Sequence, residues 1–158
     1  MPTYERVQGE DLSHRELVTT RIFNAPRELV YAAWTDPKSI PHWWGPHGFD
    51  TTIHQYDLRV GGDWKLTMHG PDGKDYPNHS VFVEITPPSR LVFDHVSAPF
   101  FRMTVTFDDF KGKTKVTMRM LFRTAEEFVA VSKVAVEGNE QLFDRLLQEL
   151  INSGKVAK

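Results

Sequence analysis

Apolar and polar residues alternate with a period of two through the middle of this 158-residue chain, and the period lengthens to helical spacing at its far end. Trp64, Leu66 and Met68 alternate with Asp63, Lys65, Thr67 and His69, the pattern of a strand with one wet face. Phe101, Met103, Val105 and Phe107 repeat it, as do Val116, Met118, Met120 and Phe122. Gly61-Gly62, Gly70-Pro71-Asp72-Gly73, Pro87-Pro88 and Lys111-Gly112-Lys113 supply turns at hairpin spacing, which predicts a meander of strands near 49–59, 63–69, 76–86, 90–96, 100–109 and 113–122. Before them, Leu17 to Phe23 reads as a strand that stops at Asn24-Ala25-Pro26. Proline suits the first position of a helix running to Trp34, and Asp36-Pro37 reads as the start of a second short helix ending near His42. Thr124-Ala125-Glu126-Glu127 has the form of a capping box, and apolar residues at 128, 131, 135, 142, 146 and 150 predict a long amphipathic helix to Asn152.

This order argues an α+β fold in which one curved, seven-stranded antiparallel sheet wraps a long C-terminal helix. Such a sheet leaves space between itself and the helix near its open end, where the two short helices are placed to plug it. The length fits one domain over 17–152, with a polar, frayed N-terminal arm over 1–16 and a C-terminal tail over 153–158.

Two adjacent indoles in the turn Trp43-Trp44-Gly45-Pro46-His47-Gly48 are costly to solvate and suggest the wall of a pocket, continued by Trp64, Leu66 and Met68. The alternative is that all five fill an ordinary core. Met103, Met118 and Met120 lie on apolar strand faces, as plastic pocket lining or as plain packing. His95 shares parity with Leu91 and Phe93 and so points inward, whereas Tyr76 and Asn78 have mixed surroundings that leave their direction open. A buried histidine beside a tyrosine suits acid or base work near neutral pH, and equally a hydrogen-bonded core. Gly138 interrupts the closing helix at a cost of about 1 kcal/mol, either to allow close approach or to bend the helix at a cavity mouth. Asn139 then stands at that mouth or faces solvent.

Composition narrows the chemistry. No cysteine is present, which excludes disulfides, thiolate metal sites and cysteine nucleophiles and fits a reducing cytoplasm. The net charge is −2 and basic residues are scattered among acidic ones, so no nucleic-acid partner is expected. The first sixteen residues lack the apolar centre of a secretory signal, and no apolar run reaches the length of a membrane span, so no membrane insertion is expected. Seven histidines form neither H-x-H nor H-E-x-x-H, His69 falls on a wet face, and Asp108-Asp109 adjoins a Lys-Gly-Lys hairpin, so no metal is predicted. Hydrolase, kinase and dinucleotide fingerprints are absent, and no cofactor is expected.

Seven segments, in order, carry a resemblance: Asn24-Ala25-Pro26-Arg27-Glu28-Leu29-Val30, Ala33-Trp34-Thr35-Asp36-Pro37, Trp43-Trp44-Gly45-Pro46, Gly61-Gly62-Asp63-Trp64, Met68-His69-Gly70-Pro71-Asp72-Gly73, Pro87-Pro88-Ser89-Arg90-Leu91-Val92-Phe93 and Val136-Glu137-Gly138. Over 17–152 the chain resembles the activator-of-heat-shock-protein-90-ATPase-homologue-like family of the START/Bet v 1-like (SRPBCC) superfamily. The resemblance implies the helix-grip fold and its internal cavity. The superfamily includes lipid carriers, hormone receptors and polyketide aromatases or cyclases, so fold alone leaves activity open. The eukaryotic co-chaperone of that name carries a further N-terminal domain for which this chain has no room, which counts against a chaperone partner.

The resulting expectation is capture of a small hydrophobic or aromatic molecule between sheet and closing helix. Trp43, Trp44, Trp64, Leu66, Met68, Phe93, Met103, Met118 and Met120 supply apolar contact, Tyr76, Asn78 and His95 orient a polar group, and Val131, Ala135 and Asn139 gate entry. One alternative is an enzyme of the cyclase, aromatase or hydrolase type using the same cavity through His95 and Tyr76. Another is a chaperone-ATPase-activator-like protein in a stress response. A monomer or homodimer is expected.

Overall fold

The computed structural model describes residue 4 and residues 10–156. Seven strands form one antiparallel sheet: β1 (Glu16–Phe23), β2 (Asp50–Tyr56), β3 (Asp63–His69), β4 (Asp75–Thr86), β5 (Arg90–His95), β6 (Phe101–Phe110) and β7 (Lys113–Phe122). Their spatial order is β1-β7-β6-β5-β4-β3-β2, so the meander closes back on the first strand and leaves β1 and β2 as the two edges. Helix α1 (Arg27–Thr35) packs against β6 and β7, and the long helix α2 (Ala125–Asn152) lies across β1 and β7.

The elements form where the residue chemistry requires them. Thr124 caps α2 by accepting a hydrogen bond from the Glu127 amide at 3.1 Å. Pro26 is the extended N-cap residue of α1, one position earlier than the helical site expected for it. The second short helix is also displaced. Asp36 Oδ1 accepts from the Lys38 amide, which tightens residues 37–39 into turns, and only Ile40–His42 form a single 3-10 turn. Strand β2 ends at Tyr56, short of the expected residue 59, because the chain turns through Asp57–Gly62.

The frayed arm is corrected where it is described. Leu12–His14 form a 3-10 turn capped by Asp11, Leu12 is buried, and Arg15 donates to the Phe122 carbonyl, while residues 1–3 and 5–9 lie outside the described residues. Val156 in the expected tail is likewise buried against the core, and 157–158 lie outside the described residues. Among the described residues, no helix is long and apolar enough to cross a membrane.

The core sits between α1, the C-terminal half of α2 and the concave face of the sheet. Phe23, Trp34, Ile40, Phe107, Phe122, Phe143, Leu146 and Leu150 are all sealed from solvent there. Burial of such side chains is worth about 2 kcal/mol each, enough for this cluster to dominate the fold.

Candidate functional site

Register across the sheet places chosen side chains in one inward row. Trp64 on β3 pairs with Ser80 on β4, Ser80 with His95 on β5, and His95 with Phe101 on β6. Neighbouring rows add Leu66 beside Asn78, and Phe93 beside Met103 and Met120. Because side chains alternate at period two, all of these project towards α2. The helix does not fill the space above them, and a cavity of about 230 Å³ remains.

Its walls are aromatic and sulfur-rich. Trp44, Trp64, Phe93 and Phe101 line it, together with Met68, Met103, Met118 and Met120, which are all the methionines after Met1. From α2 come Val134, Ala135, Gly138, Asn139 and Leu142, the stripe that a 3.6-residue period presents to one side. Val134 is 77% exposed and still lines the hollow, which places the mouth beside it.

The structure gathers most of the residues expected at a pocket, including Leu66, Met68, Asn78, Phe93, His95, Ala135 and Asn139, and leaves three out. Trp43 is fully buried behind Trp44, edge-on to Trp34 at 4.9 Å, so one indole of the pair is core and the other is wall. Tyr76 shares the register of Met68, but its ring packs on Phe49 at the rim and its hydroxyl donates to Asp72 at 2.9 Å in the β3–β4 turn. That bond to a carboxylate raises the Tyr76 pKa, and the phenol is 40% exposed, so it is not brought together with His95 as an acid–base pair. Val131 lies one helical turn before the lining stripe and packs on the core beside the cavity.

His95 is buried and stacked on Phe101, with ring centroids 4.7 Å apart. Its Nδ1 lies 2.6 Å from the Pro99 carbonyl oxygen and its Nε2 2.5 Å from Asn78 Oδ1. Two oxygen neighbours favour the doubly protonated ring, whereas burial opposes that charge. Burial is the larger influence and holds the pKa below the usual histidine value. The neutral ring carries a single N–H, which donates either from Nδ1 to the Pro99 carbonyl or from Nε2 to Asn78 Oδ1. Each ring nitrogen thus has an oxygen neighbour within the protein.

The turn carrying Trp44 is fastened to α2 by Arg145, which sequence reasoning missed. Its guanidinium donates to the carbonyl oxygens of Trp44, Gly45 and Pro46 at 2.9, 3.1 and 3.1 Å, and to that of His42 at 3.3 Å. Burial lowers the Arg145 pKa, yet an arginine keeps its charge, so four carbonyl dipoles converge on a cation. The His47 amide donates to Gln141 and the Thr51 hydroxyl to the Trp44 carbonyl, completing the attachment. Gly45 has φ +98°, a conformation that favours glycine, and a Cβ there would stand 3.0 Å from the Met68 methyl, which would have to give way. Gly138 is different: a Cβ would meet only Pro46, at an ordinary 3.7 Å, so close approach does not explain it.

Behind the wall, the Nε1 atoms of Trp34, Trp43 and Trp64 and the Tyr31 hydroxyl are buried with no hydrogen-bond partner among the described residues. Each such group costs about 1–3 kcal/mol. The layer is thus held by ring packing, with Trp64 stacked parallel to Phe82 and edge-on to Phe93.

An antiparallel sheet gripping a C-terminal helix over an internal cavity defines a helix-grip protein of the Bet v 1-like class. A model of the family described as "Activator of Hsp90 ATPase homolog 1-like protein" matches residues 24–151, and the chain belongs to that family, within the SRPBCC superfamily. Solved structures agree on the fold. A protein from Nitrosomonas europaea is 20% identical, covers 89% of this chain and 97% of its own, and superposes with a TM-score of 0.82. One from Arthrobacter aurescens gives 23%, 90%, 90% and 0.83 in the same order. The AHSA1 protein of Silicibacter pomeroyi gives 20%, 87%, 99% and 0.72. No curated protein matches the chain. Members of the family generally bind hydrophobic ligands.

Proposed function

We propose that this protein captures a small, largely apolar molecule in the hollow between the sheet and α2, in a cytoplasmic setting that its lack of cysteine suits. The observation that carries this reading is the wall itself: every methionine after Met1 and two of the four tryptophans border one cavity. Thioethers adapt to guests of differing shape and indoles give broad planar contact. The lining is almost wholly apolar, so an apolar guest that enters buries its own surface against it and is removed from water.

The test uses the methionine methyl groups as reporters. Added 2-methylnaphthalene shifts the NMR signals of Met68, Met103, Met118 and Met120 and spares Met1. Ala135→Phe, on the partly exposed helix face, fills the hollow and abolishes those shifts while the fold persists. Unmoved methyl signals up to the solubility of the probe refute capture at this site.

A further inference from the structure

The cavity selects by more than apolarity, a refinement that rests on the capture reading above. Among the described residues, no Lys, Arg, Asp or Glu lines the hollow. An ionised guest held inside would lose its hydration without meeting a counter-charge, a far larger cost than that of a neutral oxygen. The one ionisable wall group is His95, whose nitrogens are turned to Pro99 and Asn78 and whose burial favours the neutral ring.

Ser80 opens a hydroxyl on the hollow that has no partner among the described residues. Ser80 sits mid-row between Trp64 and His95, is only 5% exposed, and borders the cavity. Its Oγ makes no hydrogen bond among the described residues, and unlike the indole nitrogens it is not sealed behind other atoms. A buried hydroxyl seeks a partner, and the guest is what the hollow can offer. Above it, on α2, Asn139 donates from its amide only to the Met120 sulfur at 3.9 Å, a weak acceptor.

Shape and volume set the rest. The flat faces of Trp44, Trp64, Phe93 and Phe101 favour a planar guest. A hollow of about 230 Å³ suits a small, compact guest. We propose that the guest is an uncharged, planar molecule of two fused aromatic rings bearing a single carbonyl or hydroxyl oxygen, and that Ser80 Oγ hydrogen-bonds that oxygen.

Three probes of nearly equal bulk separate charge from hydrogen bonding: 2-acetylnaphthalene, its oxygen-free counterpart 2-isopropenylnaphthalene, and the anion 2-naphthoate. Titrations followed on the methionine methyl signals give an affinity for each. The ketone is expected to bind about fivefold tighter than the hydrocarbon and at least about tenfold tighter than the anion. Ser80→Ala brings the ketone down to the hydrocarbon and leaves the hydrocarbon unchanged. If that variant does not fold, Ser80→Cys, close in size and a weaker donor, gives the same comparison.

Naphthoate binding as tightly as the ketone overturns the uncharged guest, and a ketone preference that survives Ser80→Ala overturns the role of Ser80. In both cases binding of the hydrocarbon keeps the capture reading intact. If none of the three moves the methyl signals, the capture reading fails and this inference fails with it.

Discussion

Helix α2 is two different objects joined end to end. Its C-terminal half buries Leu142, Phe143, Leu146 and Leu150, sets Phe143 edge-on to Phe23 at 5.6 Å, and ties Arg21 to Asp144 and Glu140. Its N-terminal half buries no residue fully and leaves Val129, Val134 and Val136 exposed, with Phe128, Val131 and Ala135 resting partly covered on the core. The first half met by the chain covers the cavity, and the second anchors the fold. Packing rather than helix propensity sets local stability in a protein helix, so the covering half is the part that opens at lower free energy.

The largest test of this division compares two phenylalanines. Phe143→Ala should cost about 4 kcal/mol, as expected for a sealed ring, whereas Phe128→Ala should cost about 1 kcal/mol, both read from denaturant midpoints. Equal losses would show that the helix is uniformly anchored. Next, Arg145→Ala should cost about 2 kcal/mol by leaving carbonyls of the Trp44 turn without their charged donor. It should also weaken 2-methylnaphthalene capture, with Arg145→Lys restoring only part because one ammonium cannot serve the same fork.

Smaller still, Gly138→Ala should stabilise the helix by about 1 kcal/mol, since the new methyl group makes only ordinary contact with Pro46. Slower amide hydrogen exchange over 125–137 would register the change, and unchanged exchange would move the weak point elsewhere. The smallest effect is the pH response of His95 beneath the cover. Its folded pKa lies below the usual 6.5, so as pH falls through that window the unfolded chain takes up a proton that the folded one refuses. Stability should therefore drop below about pH 6.5, with the loss complete below the folded value. His95→Gln should show a shallower loss in parallel denaturant melts.

The fold was legible because its strands have one wet and one dry face, so alternation at Trp64–Met68 and Phe101–Phe107 marks both strand and direction. The same parity makes Ser80 findable, since it lies between Asn78 and Phe82 on the inward side, but a lone serine carries no pattern of its own. Trp43 and Trp44 are chemically identical neighbours, and only the 3-10 turn decides which becomes core and which wall. Arg145 was invisible because its partners are main-chain oxygens some hundred residues away, and any sequence supplies those. Tyr76 was undecided because its strand runs past the rim, where inward parity no longer means burial.

The exposed valines of the covering segment make it tolerant of substitution. Substitutions at Val129, Val134 or Val136 remove little buried surface, and Val134 alone of the three borders the cavity, so the mouth can change there without endangering a folded chain. Cavity mouth and anchoring core are thereby carried by separate halves of a single helix.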